Sequence, residues 1–208
     1  MHRATLACLV FIGLLAQPFS AQEGQIWRIP GTMPDPSDPA VKAIFDNGLN
    51  RGRPLNIVMV SSISPKIGKA KNDYVASLRT DGIIPGIYRE LAIMRTSIIV
   101  GAEYESVQHR IIAKSCGVSD AQLAALANWK GSSVFDSKQQ ALLAFVDEMD
   151  HGGNVSDATF ATLQKFFNPR EIVEIANAVS MYYGTGLFTN ALQIRLETDG
   201  RAPAAGRC

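Results

Sequence analysis

Hydrophobic positions along the chain recur at helical spacing almost throughout, and period-two alternation is scarce. A short helix is predicted to start near Asp38, with Pro39 in its first turn, and to stop around Gly48. Leu55 to Ile63 is apolar, and Pro65 interrupts it before a polar-faced helix that runs to about Arg79. Gly82 and Pro85-Gly86 make a turn into the strongly apolar stretch Ile87 to Val100. Gly101 breaks that stretch before a helix that ends at Gly117, a C-cap glycine. Ser119 and Gln122 form a capping box for the next helix. Asp136 or Ser137 opens another, with Leu142, Leu143, Phe145, Val146 and Met149 on its apolar side. Ser156 starts a short helix that ends before Asn168-Pro169, and Pro169 opens a last helix to about Leu196. The fold class is all-α, with one domain, no internal repeat and no linker.

The two ends depart from this pattern. Arg3, an apolar run from Ala4 to Ala16 and the small residues after Pro18 have the layout of a secretory signal peptide over residues 1–21. The run falls short of the ~20 residues that a membrane span needs, so no stable membrane anchor is expected after cleavage. The expected location is the secretory pathway, the periplasm or outside the cell. Residues 22–50 read as an extended arm, rich in Pro, Gly and Asp, with the short helix at its end. Residues 51–197 form the helical domain, and residues 198–208 read as a flexible tail.

Nearly half of the 208 residues are hydrophobic and the net charge is +1, an ordinary globular composition with no electrostatic case for nucleic acid. Cys8 lies in the apolar leader, which leaves Cys116 and Cys208 to the mature chain. Sequence cannot establish a bridge between them; the plainer reading is a buried helical thiol and a terminal thiol on a loose tail.

The chemistry concentrates at Glu105 and His109. Four residues apart on a helix, at ~100° per residue, they share a face, so a carboxylate and an imidazole converge on one site. Ala102 lies on the same stripe. Glu90, on the preceding helix, is a third candidate; the alternative has it pairing with Arg95 or Arg110 to fix helix packing. Tyr104, Tyr182 and Tyr183 are weaker candidates for lining a pocket. His151 reads as a solvated turn residue, and Trp27 and Trp129 carry no readable role.

Arg89-Glu90-Leu91-Ala92-Ile93, then Gly101-Ala102-Glu103-Tyr104-Glu105, then His109, resembles the signature of the carboxymuconolactone decarboxylase and alkylhydroperoxidase-D superfamily. The likeness runs from about Pro54 to about Leu192. The peroxidase branch carries a Glu, a CxxC pair and a His; here the Glu falls at Glu90, the two cysteines at Ala102 and Glu105, and the His at His109. Without the thiols, the branch resembled is the decarboxylase one. The resemblance implies a compact helical domain that assembles as a homo-oligomer, a trimer or hexamer. It implies a catalytic set of His109, Glu105 and Glu90, with Tyr104 and Tyr182 toward a small-molecule substrate and neither cofactor nor metal required. The expected activity is acid/base proton transfer, decarboxylation first, on a small oxygenated carboxylic acid or lactone. In that reading His109 protonates the carbanion, Glu105 orients and tunes it, and Glu90 completes a relay. Isomerisation or dehydration by the same residues, a thiol peroxidase using Cys116 alone, and a non-catalytic oligomeric binding protein are the rivals.

Overall fold

The computed structural model describes residues 26–29, 31–47, 50, 54–204 and 206–208. The leader over residues 1–21 lies outside the described residues, as does part of the arm. Helices α1 (Pro39–Phe45), α2 (Asn56–Ser62), α3 (Pro65–Thr80), α4 (Gly86–Val100) and α5 (Glu103–Ser115) come first. They are followed by α6 (Asp120–Ala125), a 3-10 turn (Leu126–Gly131), α7 (Ser137–Gly152), α8 (Asp157–Leu163) and α9 (Pro169–Leu192). No strand occurs among the described residues, as the single helical periodicity requires.

The caps act where the sequence places them. Asp38 accepts from the amides of Ala40 and Val41, and Pro39 occupies the first turn of α1. Capping boxes close on Ser119 with Gln122, Asp136 with Gln139 and Asn168 with Glu171. Gly101 ends α4 at φ 68°, a left-handed conformation that a Cβ would strain. Only Ala102 separates it from α5, so the two helices form a tight hairpin.

Helix α4 is the central element, packed against α5, α7 and α9. Its Leu91, Ala92 and Met94 are buried with Leu142, Leu143 and Val146 of α7 and Ile175 and Val179 of α9. Each large aliphatic side chain so buried contributes about 1.5–3 kcal/mol. This pins α4 on its apolar side and leaves Arg89 and Glu90 to face elsewhere, though both are buried. A second cluster joins Trp27, Val60, Tyr104 and Ile194. Trp27 is therefore a core residue, and the chain around it is held by bonds from the Arg28 amide to the Leu192 carbonyl (2.8 Å) and from the Arg195 amide to the Ile26 carbonyl (2.9 Å). Trp129 is likewise buried, its indole donating to Asp147 at 3.1 Å.

Four expectations are corrected. Cys116 and Cys208 are joined by a disulfide, with Cα atoms 5.0 Å apart across 92 residues of sequence. The tail read as flexible is consequently docked. The Arg207 amide donates to the Arg79 carbonyl at 2.8 Å, and the Gly86 amide donates to the Cys208 carbonyl at 3.1 Å. Gly86 makes this approach feasible: a Cβ there would lie 2.7 Å from the Cys208 Cα and 2.9 Å from the Cys116 sulfur. Helix α9 stops at Leu192 because Gln193 turns left-handed at φ 49°. His151 is in the last turn of α7, its Nδ1 2.6 Å from the Asp147 carbonyl, and not in a loop.

Candidate active site

Glu90 has no exposed surface and sits between two partners. Its Oε1 accepts from Arg89 Nε at 2.9 Å, and its Oε2 lies 2.8 Å from His109 Nδ1. The hairpin at Gly101 brings these groups together from α4 and α5. Arg95, the expected competitor, is engaged by Asp147 at 2.6 Å instead. Burial pushes the Glu90 carboxyl upward, but the His109 ring, through charge and hydrogen bond, and the Arg89 and Arg79 guanidiniums outweigh it and hold the group below its ordinary range. An ionised Glu90 only accepts, so Nδ1 is the donor and Nε2 is left to take up or release a proton.

Glu105 lies on the Nε2 side of the same ring. Its Oε2 is 3.7 Å from Nε2, longer than a hydrogen bond. Its Oε1 is buried with no hydrogen-bond partner among the described residues. Burial pushes this carboxyl above its ordinary range; the charges of His109, Lys71 and Arg79 offset part of that shift, while Glu197 adds to it. The two glutamates flanking His109 are thus driven in opposite directions, which sets their proton affinities apart.

Glu105 and His109 open onto a cavity of about 100 Å³. Tyr104 and Tyr182 line it as well. Tyr182 stands edge-on to the imidazole, ring centroids 4.6 Å apart, and burial raises its hydroxyl. Tyr104 donates to Glu197 at 2.6 Å; burial and that bond both raise its hydroxyl. Tyr183 does not line this cavity. Ala102, the third residue of the stripe, is buried at the start of α5, so no sulfur stands where the dithiol would be. Cys116 is consumed in the disulfide and lies outside the cavity wall. Among the described residues no cluster of His, Cys, Asp and Glu has a metal-holding arrangement.

Several site residues escaped sequence reasoning. Gly68, Lys71, Asn72, Val75 and Arg79 form the α3 wall of the cavity, and Pro203 and Ala204 of the tail close over it. Arg89 also ties the site to the tail, donating through Nη2 to the Arg207 carbonyl at 2.8 Å. The spacing of Lys71, Val75 and Arg79 at one residue per turn was the available signal.

Residues 65–148 match the carboxymuconolactone decarboxylase family. That segment holds Glu90, Glu105 and His109, and the matched stretch is shorter than the one over which the motif resemblance was traced. Known structures extend the likeness over more of the chain. A peroxidase-related protein from Silicibacter sp. TM1040 superposes with a TM-score of 0.74 at 18% identity, covering 86% of this chain and 96% of its own. One with an alkylhydroperoxidase AhpD core from Ralstonia eutropha JMP134 gives 0.69 at 21%, covering 86% and 99%. The debrominase Bmp8, in a complex with 2,3,4-tribromopyrrole, gives 0.67 at 17%, covering 83% and 94%. At these identities the structural matches establish the fold, an AhpD-like helical domain. No curated protein matches this chain.

Proposed function

We propose that the chain is an acid/base enzyme that decarboxylates a small oxygenated carboxylic acid or lactone, using His109, Glu105 and Glu90 and needing no cofactor. One observation carries the reading. His109 is fixed through Nδ1 by Glu90 at 2.8 Å, and its Nε2 faces the buried Glu105 carboxyl, whose pKa burial raises, at the edge of a cavity. The carbon–carboxylate bond breaks, its electron pair enters a conjugated carbonyl of the substrate, and CO2 leaves. His109 Nε2 then delivers a proton to the resulting carbanion, and Glu105 supplies the proton store beside it. Glu90 holds the ring's tautomer and orientation, which makes it a positioning residue.

Export remains part of the proposal. The Cys116–Cys208 bridge supports it, since disulfides persist in oxidising compartments. Homo-oligomer formation is also proposed, supported by Val107 and Ile111, apolar residues one turn apart on α5 that face outward.

The test is CO2 release by the purified protein from a panel of γ-lactone carboxylates and β-keto acids, with His109→Ala as control. Release that vanishes in the variant supports the reading. Turnover of the panel without CO2 would replace it with isomerase or dehydratase chemistry on the same residues.

A further inference from the structure

We infer that Arg79, with Lys71 and Asn72, forms a carboxylate-binding subsite on the α3 wall of the cavity, which selects anionic substrates. The inference deepens the acid/base reading of the same cavity and rests on it for the word substrate.

Arg79 is 7% exposed, yet its Nε and Nη2 are buried without a hydrogen-bond partner among the described residues. Asn72 Nδ2, two helical turns earlier, is also buried and unpartnered. A buried guanidinium without an acceptor is costly, and native proteins rarely tolerate one beside a second orphan donor. Both side chains line the cavity. The nearby carboxylates are already committed. Glu90 is shared by Arg89 and His109. Glu197 accepts from Tyr104, Gln108 and the Asn56 amide. Glu105 has its Oε2 turned to His109 Nε2 at 3.7 Å and makes no hydrogen bond to Arg79. Lys71 reaches the same wall; its Nζ lies 4.2 Å from the Phe188 ring centroid.

Arginine presents a planar fork that matches a carboxylate. The cavity sets the size: an apolar cavity of ~150 Å³ takes a benzene, so one of about 100 Å³ limits the enclosed part of a ligand to at most a single small ring. Held by α3, such a ring would face Glu105 and His109 on α5. A carboxylate gripped in this way is retained through the reaction, so decarboxylation requires a second carboxyl group on the same substrate. The subsite therefore narrows the substrate class to compounds with two free carboxyl groups, one held by Arg79 and one lost as CO2.

Isothermal titration of the purified chain tests this with three probes: 5-oxotetrahydrofuran-2-carboxylate, its primary amide and inorganic phosphate. The carboxylate is expected to bind about tenfold or more tighter than the amide, and phosphate more weakly than the carboxylate. Arg79→Gln should bring the carboxylate-to-amide ratio to about one while leaving amide affinity in place. Lys71→Met, at a half-buried position that folding tolerates, should narrow the ratio severalfold. His109→Gln should leave the ratio unchanged. Absence of any preference in the unmodified protein, a preference that survives both α3 substitutions, or tighter binding of phosphate would overturn the subsite. A preference with no turnover of any carboxylate would sink the decarboxylase reading and leave the subsite standing; turnover without preference would do the reverse.

Discussion

Glu90 and His109, on opposite arms of the α4–α5 hairpin, meet at 2.8 Å through a carboxylate oxygen and Nδ1. This contact determines which ring nitrogen faces the cavity. It also predicts that His109 and Glu90 fail differently when altered. His109→Ala should lower kcat by about 10²- to 10⁴-fold, the range for a lost general acid/base, while the protein stays folded. Steady-state kinetics beside a thermal melt separates the two effects; a variant with unchanged kcat removes His109 from the mechanism.

Removal of Glu90 should cost stability first. Arg89 is buried, and its Nε loses its carboxylate partner when Glu90 is truncated, leaving a charge in the interior. Glu90→Ala is expected to destabilise by about 3–5 kcal/mol. Glu90→Gln keeps the shape and a hydrogen-bonding oxygen, so it should cost less in stability and more in kcat than in KM. Urea melts of both variants check the order; equal melts would mean that the ion pair is not what holds Arg89.

Glu105 carries the opposite sign. Its folded-state pKa is raised, so the folded chain binds more protons than the unfolded one once pH exceeds the ordinary carboxylate range. The stability this group contributes is present at low pH and is lost as pH rises through its folded pKa. Glu105→Gln removes that loss and should stabilise the protein by roughly 1–3 kcal/mol at slightly alkaline pH, with little gain below pH 4. Activity should fall on the alkaline limb in the unmodified enzyme and be strongly reduced at all pH in the variant. Melts across pH give the decisive sign: a variant that is less stable at alkaline pH contradicts the raised carboxyl.

The α5 part of this site was legible because it is local. Glu105 and His109 lie one turn apart, and helix geometry alone aligns them. Glu90 was legible only through the family signature, since nothing in the spacing of α4 says that it crosses to His109 and not to Arg95. The α3 wall was missed for a different reason. Its face of Lys71, Asn72 and Arg79 has the polarity of a solvated surface, and only tertiary packing under the tail makes it an interior. The tail itself gave no local signal: Pro, Ala and Gly near a terminus describe loose chain and a docked strap equally well. What decides between them is a covalent bond across 92 residues, which periodicity does not encode.

That bond supports a last prediction. The strap from Arg201 to Cys208 is held at several points. The Arg201 guanidinium donates to Asn56 Oδ1 at 3.0 Å and to the Pro54 carbonyl, Arg207 bonds to α3 and α4, and the disulfide fixes the end. Pro203 and Ala204 lie between these anchors and roof the cavity. Cys208→Ser, or reduction of the native protein, should lower stability by about 2–5 kcal/mol, because closing a long loop restricts the unfolded chain. The polar anchors at Arg201 remain, so the strap should loosen first at its Cys208 end, with faster amide exchange at Arg207 before any change in α4. Hydrogen exchange with and without reductant reads this directly. Loosening confined to residues 206–208 with KM unchanged would mean that the disulfide serves stability alone. A rise in KM on reduction, with kcat retained, would mean that the roof contributes to substrate binding.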